Sequence, residues 1–165
     1  MKPFWKTNNN FQIRWNEPLG EKECPYAYRW VLILFGYSIR VHYWLRSDDK
    51  RYMHDHPWNF RTFVLKGYYW DVSKFTDKNI SNSQIEINND IIEINNDILR
   101  EKVTTTAYRK ATHQHYVEIP EPGVITLLFC GRPKRNWGFW IPGRTTLLRP
   151  LKYFHKYGHP PCSEQ

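Results

Sequence analysis

The feature that most constrains this chain is the grouping of its apolar residues. Aromatic and β-branched residues come in short runs, and turn-forming residues break the chain between them. Arg29 to Phe35 is one run and Tyr37 to Leu45 the next. Phe60 to Leu65 closes at Lys66-Gly67 and resumes as Tyr68 to Val72. Lys102 to Tyr108, His115 to Ile119, Val124 to Cys130 and Asn136 to Ile141 complete the set. Between them stand Asp48-Asp49-Lys50, Pro120-Glu121-Pro122-Gly123, Gly131-Arg132-Pro133 and Ile141-Pro142-Gly143. Such runs read as β-strands, and no long capped stretch with a 3.6-residue period competes with them. The expectation is one all-β domain over residues 1–165, a small barrel or sandwich with short helical or irregular termini. Its core is expected over about residues 28–145, with a C-terminal tail at 146–165.

One segment breaks the pattern. Ile85-Glu86-Ile87-Asn88-Asn89-Asp90-Ile91 is copied at once as Ile92 to Ile98. Two copies are too few for a coiled-coil seam, and asparagine is a poor helix former. The segment at about 76–101 is therefore expected as a duplicated surface loop.

Composition excludes several classes. With 8 Trp, 11 Tyr and 9 Phe the chain is too aromatic to be a disordered tail. No run approaches the length of a membrane span, and Met1 to Trp5 lacks an apolar signal core, so a cytoplasmic protein is expected, in the host cytoplasm if viral. Cys24, Cys130 and Cys162 form no CxxC pair and leave one over from any disulfide, which argues against a thiolate zinc site or a disulfide scaffold. The net charge of +8 favours anionic partners. The one basic cluster, Arg132-Pro133-Lys134-Arg135, is a thin footprint for nucleic acid, so a small-molecule substrate is the expected partner.

The chemistry lies in the histidines. His54-Asp55-His56 puts two imidazoles on one face of an extended segment, and Pro57 holds His56 out of the helical region. His113-Gln114-His115 repeats the spacing, and His42 shares a strand face with Trp44. Imidazole is the commonest protein ligand for zinc, copper, iron and nickel, so two such pairs that converge make a metal cage.

His54-Asp55-His56-Pro57-Trp58, followed by Leu65-Lys66-Gly67-Tyr68, resembles the first metal-binding motif of the cupin superfamily, and His115 with Tyr116-Val117 resembles the second. Together with Gly131-Arg132 and Trp137-Gly138-Phe139-Trp140, these blocks look like a group of phage and bacterial cupin-like proteins over about residues 40–142. The resemblance implies a double-stranded β-helix, or jelly-roll, barrel. It also implies one divalent metal on His54, His56 and His115, with His113 as an alternate ligand. Cupins usually carry a glutamate four or five residues after the HxH; here Phe60 and Arg61 stand there. A three-histidine centre is the implied outcome, as in some iron dioxygenases of the superfamily, with iron(II) favoured over zinc, nickel or manganese. The alternative is a non-catalytic binding module, or a sugar-nucleotide isomerase-like protein, in which Arg61 holds an anion. Arg46, Arg61, Tyr69, Arg132 and Trp137 are the candidate substrate-binding residues. Cupins often pair through edge strands, and a homodimer is a further expectation.

Overall fold

The computed structural model describes residues 11–21, 23–74, 83–87, 90–95, 97–159 and 162. Its elements in chain order are β1 (Phe11–Glu21), β2 (Cys24–Leu34), β3 (Tyr37–Trp44), β4 (Phe60–Lys66), β5 (Tyr69–Lys74), β6 (Ser83–Ile87), β7 (Asp90–Asn95), β8 (Ile98–Val103), β9 (Thr106–Arg109), β10 (His115–Glu118), β11 (Val124–Cys130) and α1 (Pro150–Tyr157). They form a six-stranded sheet, β1-β2-β3-β11-β4-β9, and a five-stranded sheet, β10-β5-β8-β7-β6. His54 adds to the second sheet through a single bridge to His115. From β3 onward the chain crosses between sheets at almost every step: β3, His54, β4, β5, then β8, β9, β10, β11. That alternation is the strand order of a jelly roll, with one of its eight strands reduced to the bridge at His54. The fold is therefore the expected all-β, jelly-roll barrel.

The two sheets are glued at one end by apolar side chains. Ala27, Trp44, Ala107 and Val124 of the first sheet meet Tyr69, Val103 and Val117 of the second, all buried. Each large side chain there contributes about 1.5–3 kcal/mol by leaving water. The alternation of β3 continues that inner face with polar groups: Ser38 and His42 are buried, while Tyr37, Ile39 and Tyr43 point outward. Thr62 on β4 and Thr126 on β11 extend the same polar layer, and Trp44 Nε1 donates to Thr126 Oγ1 at 3.0 Å.

Several boundaries differ from expectation. The duplicated segment contains strands as well as turns: Ser83–Ile87 pairs with Asp90–Asn95, which pairs with Ile98–Val103. Its Ile-x-Ile alternation is a strand period, and tertiary pairing onto β5 outweighs the asparagines. Residues 75–82, 88, 89 and 96 of that stretch lie outside the described residues. The stretch from Lys102 to Tyr108 is two strands in different sheets, broken at Thr104-Thr105. The sheet also extends ahead of residue 28, because β1 and β2 form a long hairpin. Asn136 to Ile141 is no regular strand; Phe139 alone bridges to His54 and Leu148. Its neighbours' donors go to a side chain instead: Gly138 N–H and Trp140 Nε1–H both donate to Asp55. A Cβ at Gly138 would collide with the Leu148 carbonyl, so glycine is required.

The tail carries α1. Tyr153 is fully buried, stacks on Phe139 at 3.6 Å and donates its hydroxyl to Asp49 at 2.7 Å. Arg51 donates to the Tyr157 and Gly158 carbonyls and fixes the end of the helix. Cys24 is disulfide-bonded to Cys162, a single bridge that leaves Cys130 over, free and buried. The partners lie 138 residues apart, a separation no local motif marks. Among the described residues, no helix is long and apolar enough to cross a membrane.

Candidate metal centre

Backbone geometry builds the site. His54 N–H donates to the His115 carbonyl and His115 N–H to the His54 carbonyl, both at 2.9 Å. His56 N–H donates to Ala111 O at 3.2 Å, closing the same seam two residues on. Extended alternation then sends His54 and His56 to one side and Asp55 to the other. The three rings of His54, His56 and His115 stand 5.1–5.2 Å apart by centroid. One ring nitrogen of each lies within 4.8 Å of the others, and His56 Nε2 is 2.9 Å from His115 Nε2. Two nitrogens each about 2.1 Å from one ion, at a right angle, would stand about 3 Å apart, so this spacing suits adjacent ligands. Burial, with the neighbouring His115, pushes His54 down to about 3, and burial also holds His56 well below its ordinary value. Both rings are neutral near pH 7, which is the form that binds metal.

Asp71 supports this cluster from inside β5. Its Oδ2 is 2.9 Å from His115 Nδ1 and accepts from Arg109 Nε at 2.8 Å, while its Oδ1 is 2.8 Å from His113 Nε2. Burial alone would raise its pKa, but His115, His113 and Arg109 together hold the carboxyl well below the usual range. An ionised Asp71 accepts a proton bond from His115 Nδ1, which leaves Nε2 as the lone-pair nitrogen facing His56. Asp71, His113 and His115 also have donor atoms within 4.8 Å of one another. Arg109 already occupies the Asp71 oxygen there, and a second cation would be placed against its guanidinium. Asp71 is thus a positioning residue. His113 stands behind it in the turn before β10, rather than on a strand face with His115.

Aromatic side chains wall the rings. Trp137 stacks nearly parallel to His56 at 6.4 Å and stands 6.5 Å from His54. Phe60 lies 4.8 Å from His56, at the inward position where cupins usually place an acid. Phe139 is 5.7 Å from His54. Asp55, wholly buried, fixes this wall through Gly138, Trp140 and Arg135. On the remaining side Asp48 Oδ2 comes to 3.9 Å from His54 Nε2, and burial pushes this carboxyl well above its usual value.

Of the substrate-binding candidates, only Trp137 stands beside the three imidazoles. Arg46 borders an open cleft of about 400 Å³ with Asp48, Lys50 and Arg51, and donates to the Cys24 carbonyl at 2.7 Å. Arg61 is exposed, its guanidinium 5.7 Å above the Tyr108 ring. An anion held by Arg61 inside the barrel is excluded by strand parity, since Phe60 and Thr62 take the inward positions. Arg132 is exposed over Tyr37, and Tyr69 belongs to the apolar end of the core. Arg135, from the one basic cluster, is committed to Asp55. Sequence reasoning missed Asp71 and Arg109 at this site. The available signal was a charged residue on the inward parity of a strand that is otherwise buried.

No protein-family model matches the chain, and no curated protein does. Among solved structures it is similar to the DMSP lyase DddQ from Ruegeria pomeroyi DSS-3, with 8% identity and a TM-score of 0.42 over 86% of this chain and 61% of that one. The chain thus spans less than two thirds of the length of that structure.

Proposed function

We propose that the protein is a metal-dependent enzyme of the cupin type. His54, His56 and His115 hold one divalent cation, iron(II) in preference to zinc, nickel or manganese, and a small polar or anionic metabolite is oxidised in a dioxygenase-like reaction. The observation that carries this reading is the donor set: three imidazoles from two segments, with a nitrogen of each within 4.8 Å. A bound ion with three imidazole ligands supplies open coordination positions for Lewis-acid or oxygen chemistry. The chain's own residues do the rest. Asp71 fixes the tautomer of His115, Arg109 keeps Asp71 ionised, and Trp137, Phe60 and Phe139 keep bulk water from the rings. A non-catalytic binding module would use the same pocket without turnover. Two copies of the chain pairing through the edge strand β1 belong to the same reading, supported by exposed Phe11, Ile13 and Trp15.

Elemental analysis of tag-free protein tests the centre, with a His54→Ala/His56→Ala control of unchanged circular dichroism. About one ion per chain, lost in the control, is expected. Protein that stays metal-free after anaerobic reconstitution with iron(II) rules the enzyme reading out. Loaded protein that consumes neither oxygen nor any small-metabolite substrate leaves the binding module.

A further inference from the structure

The inner face of the six-stranded sheet carries a cation with no counter-ion among the described residues. Alternation along β3 turns Ser38, Arg40, His42 and Trp44 inward. Arg40 forms no ion pair among the described residues; its Nε donates to Ser38 Oγ at 3.1 Å and its guanidinium lies 4.0 Å over the Trp58 ring. Burial pushes the guanidinium down to about 10, and its charge is felt at His56. Two residues along, His42 is 8% exposed, and neither of its ring nitrogens has a partner among the described residues. Trp44 meets that ring edge-on at 5.4 Å and offers it no acceptor. The neighbouring cations are committed: Arg29, opposite His42 on β2, to Glu17 at 2.7 Å, and Arg109 to Asp71 at 2.8 Å.

Arg40 is a half-buried charge without an ion-pair partner among the described residues, and His42 is a buried imidazole with nothing to bond, which is costly. The two side chains stand two apart on one face of β3, so one anion can be reached by both. We propose that Arg40 and His42 form a carboxylate-binding subsite inside the barrel, and that the molecule acted on at the three-histidine centre is a monocarboxylate anchored there. The identity of that ligand as a substrate rests on the metal-enzyme reading above; the binding itself does not. One guanidinium answers one negative charge, which suits a carboxylate better than a phosphate dianion. With Nε engaged by Ser38, the two Nη groups remain as a fork for the two carboxylate oxygens, and the His42 N–H adds a further donor. Trp58 lies against the guanidinium and packs in one buried cluster with Phe60, which lies against His56, so the subsite and the imidazoles border the same aromatic wall.

The test uses metal-free protein, titrated with acetate and propionate against inorganic phosphate at matched ionic strength, and read by calorimetry and thermal unfolding. The carboxylates raise the melting temperature of the wild type and phosphate does not. In R40M the dissociation constant rises at least about tenfold, and R40K recovers only part of the loss because it keeps the charge without the fork. Without ligand, R40M melts no lower than wild type, since it removes an unpaired cation. If R40M does not fold, H42F carries the same comparison. A wild type that ignores carboxylates, or responds as R40M does, overturns the subsite. Metal content measured on the same preparation separates the two proposals: metal without carboxylate binding sinks the subsite and leaves the centre. Carboxylate binding in a protein that takes no metal upholds the subsite and removes the reaction.

Discussion

The two ends of the barrel interior are built on opposite principles. At one end Ala27, Trp44, Tyr69, Val103, Val117 and Val124 pack into an apolar plug. At the other, three histidines, Asp71, Arg109 and Arg40 fill the same space between the same sheets. The plug is held by area removed from water. The polar end is held by directional bonds and leaves lone pairs and a cation unanswered. A single barrel thus separates what keeps it folded from what lets it bind.

That separation can be broken most severely at the plug. Trp44→Ala is expected to cost about 3–5 kcal/mol in urea unfolding, because it empties the joint between the sheets and strands Thr126. A loss below about 1 kcal/mol would show that the plug is not the stabilising end. At the polar end, Asp71→Asn is expected to weaken metal binding about 10–100-fold with a smaller loss of stability, as it frees the His115 tautomer and leaves Arg109 with only Glu101. Equal metal affinity in D71N, measured by competition with a chelator, would remove the positioning role.

The contrast sharpens with pH. His42 has its pKa depressed from 6.5 to about 3, first by burial and then by Arg40 and Arg29. The unfolded chain therefore binds a proton between those values that the native state refuses, so stability falls as pH drops from 6.5 toward 3. Trp44 and Thr126 also face this ring and carry no charge in that window. The H42F protein should lose part of that acid slope; an identical melting-temperature profile from pH 7 to 4 would place the slope elsewhere. The smallest effect is expected outside the barrel. Arg61→Ala and Arg132→Ala should change stability by no more than about 0.5 kcal/mol and leave metal and carboxylate binding intact.

Much of the plug was legible because aromatic and β-branched runs have only one economical use, and the histidine pairs were legible because imidazoles two apart share a side. What the sequence hides is parity in a strand with mixed faces. On β3 the exposed positions are Tyr37, Ile39 and Tyr43 and the inward ones Ser38, Arg40 and His42, the reverse of the usual distribution. The sequence offered Arg61 as the cation of the pocket, whereas strand parity turns Arg61 outward and Arg40 inward. Asp71 hides for the same reason, as an acid between inward-facing Tyr69 and Ser73. The β1–β2 hairpin escaped notice because Pro18 and Gly20 interrupt its pattern, although Pro18 keeps register with Tyr28 and a shift between Leu19 and Gly20 accommodates the glycine.

The bridge between His54 and His115 has a temporal consequence. No regular strand carries His54 and His56; two reciprocal backbone bonds to a segment some sixty residues away, and Phe139 on the far side, fix them in place. Contacts of such long sequence separation form late, after loop closure has been met by local hairpins such as β1–β2 and β6–β7. The β3–β11, β4–β11 and β5–β10 ladders join segments of comparable or greater separation, so the imidazole cluster assembles with them and not with the local hairpins. Competence at this site is therefore expected only once the long-range closure of the barrel is complete.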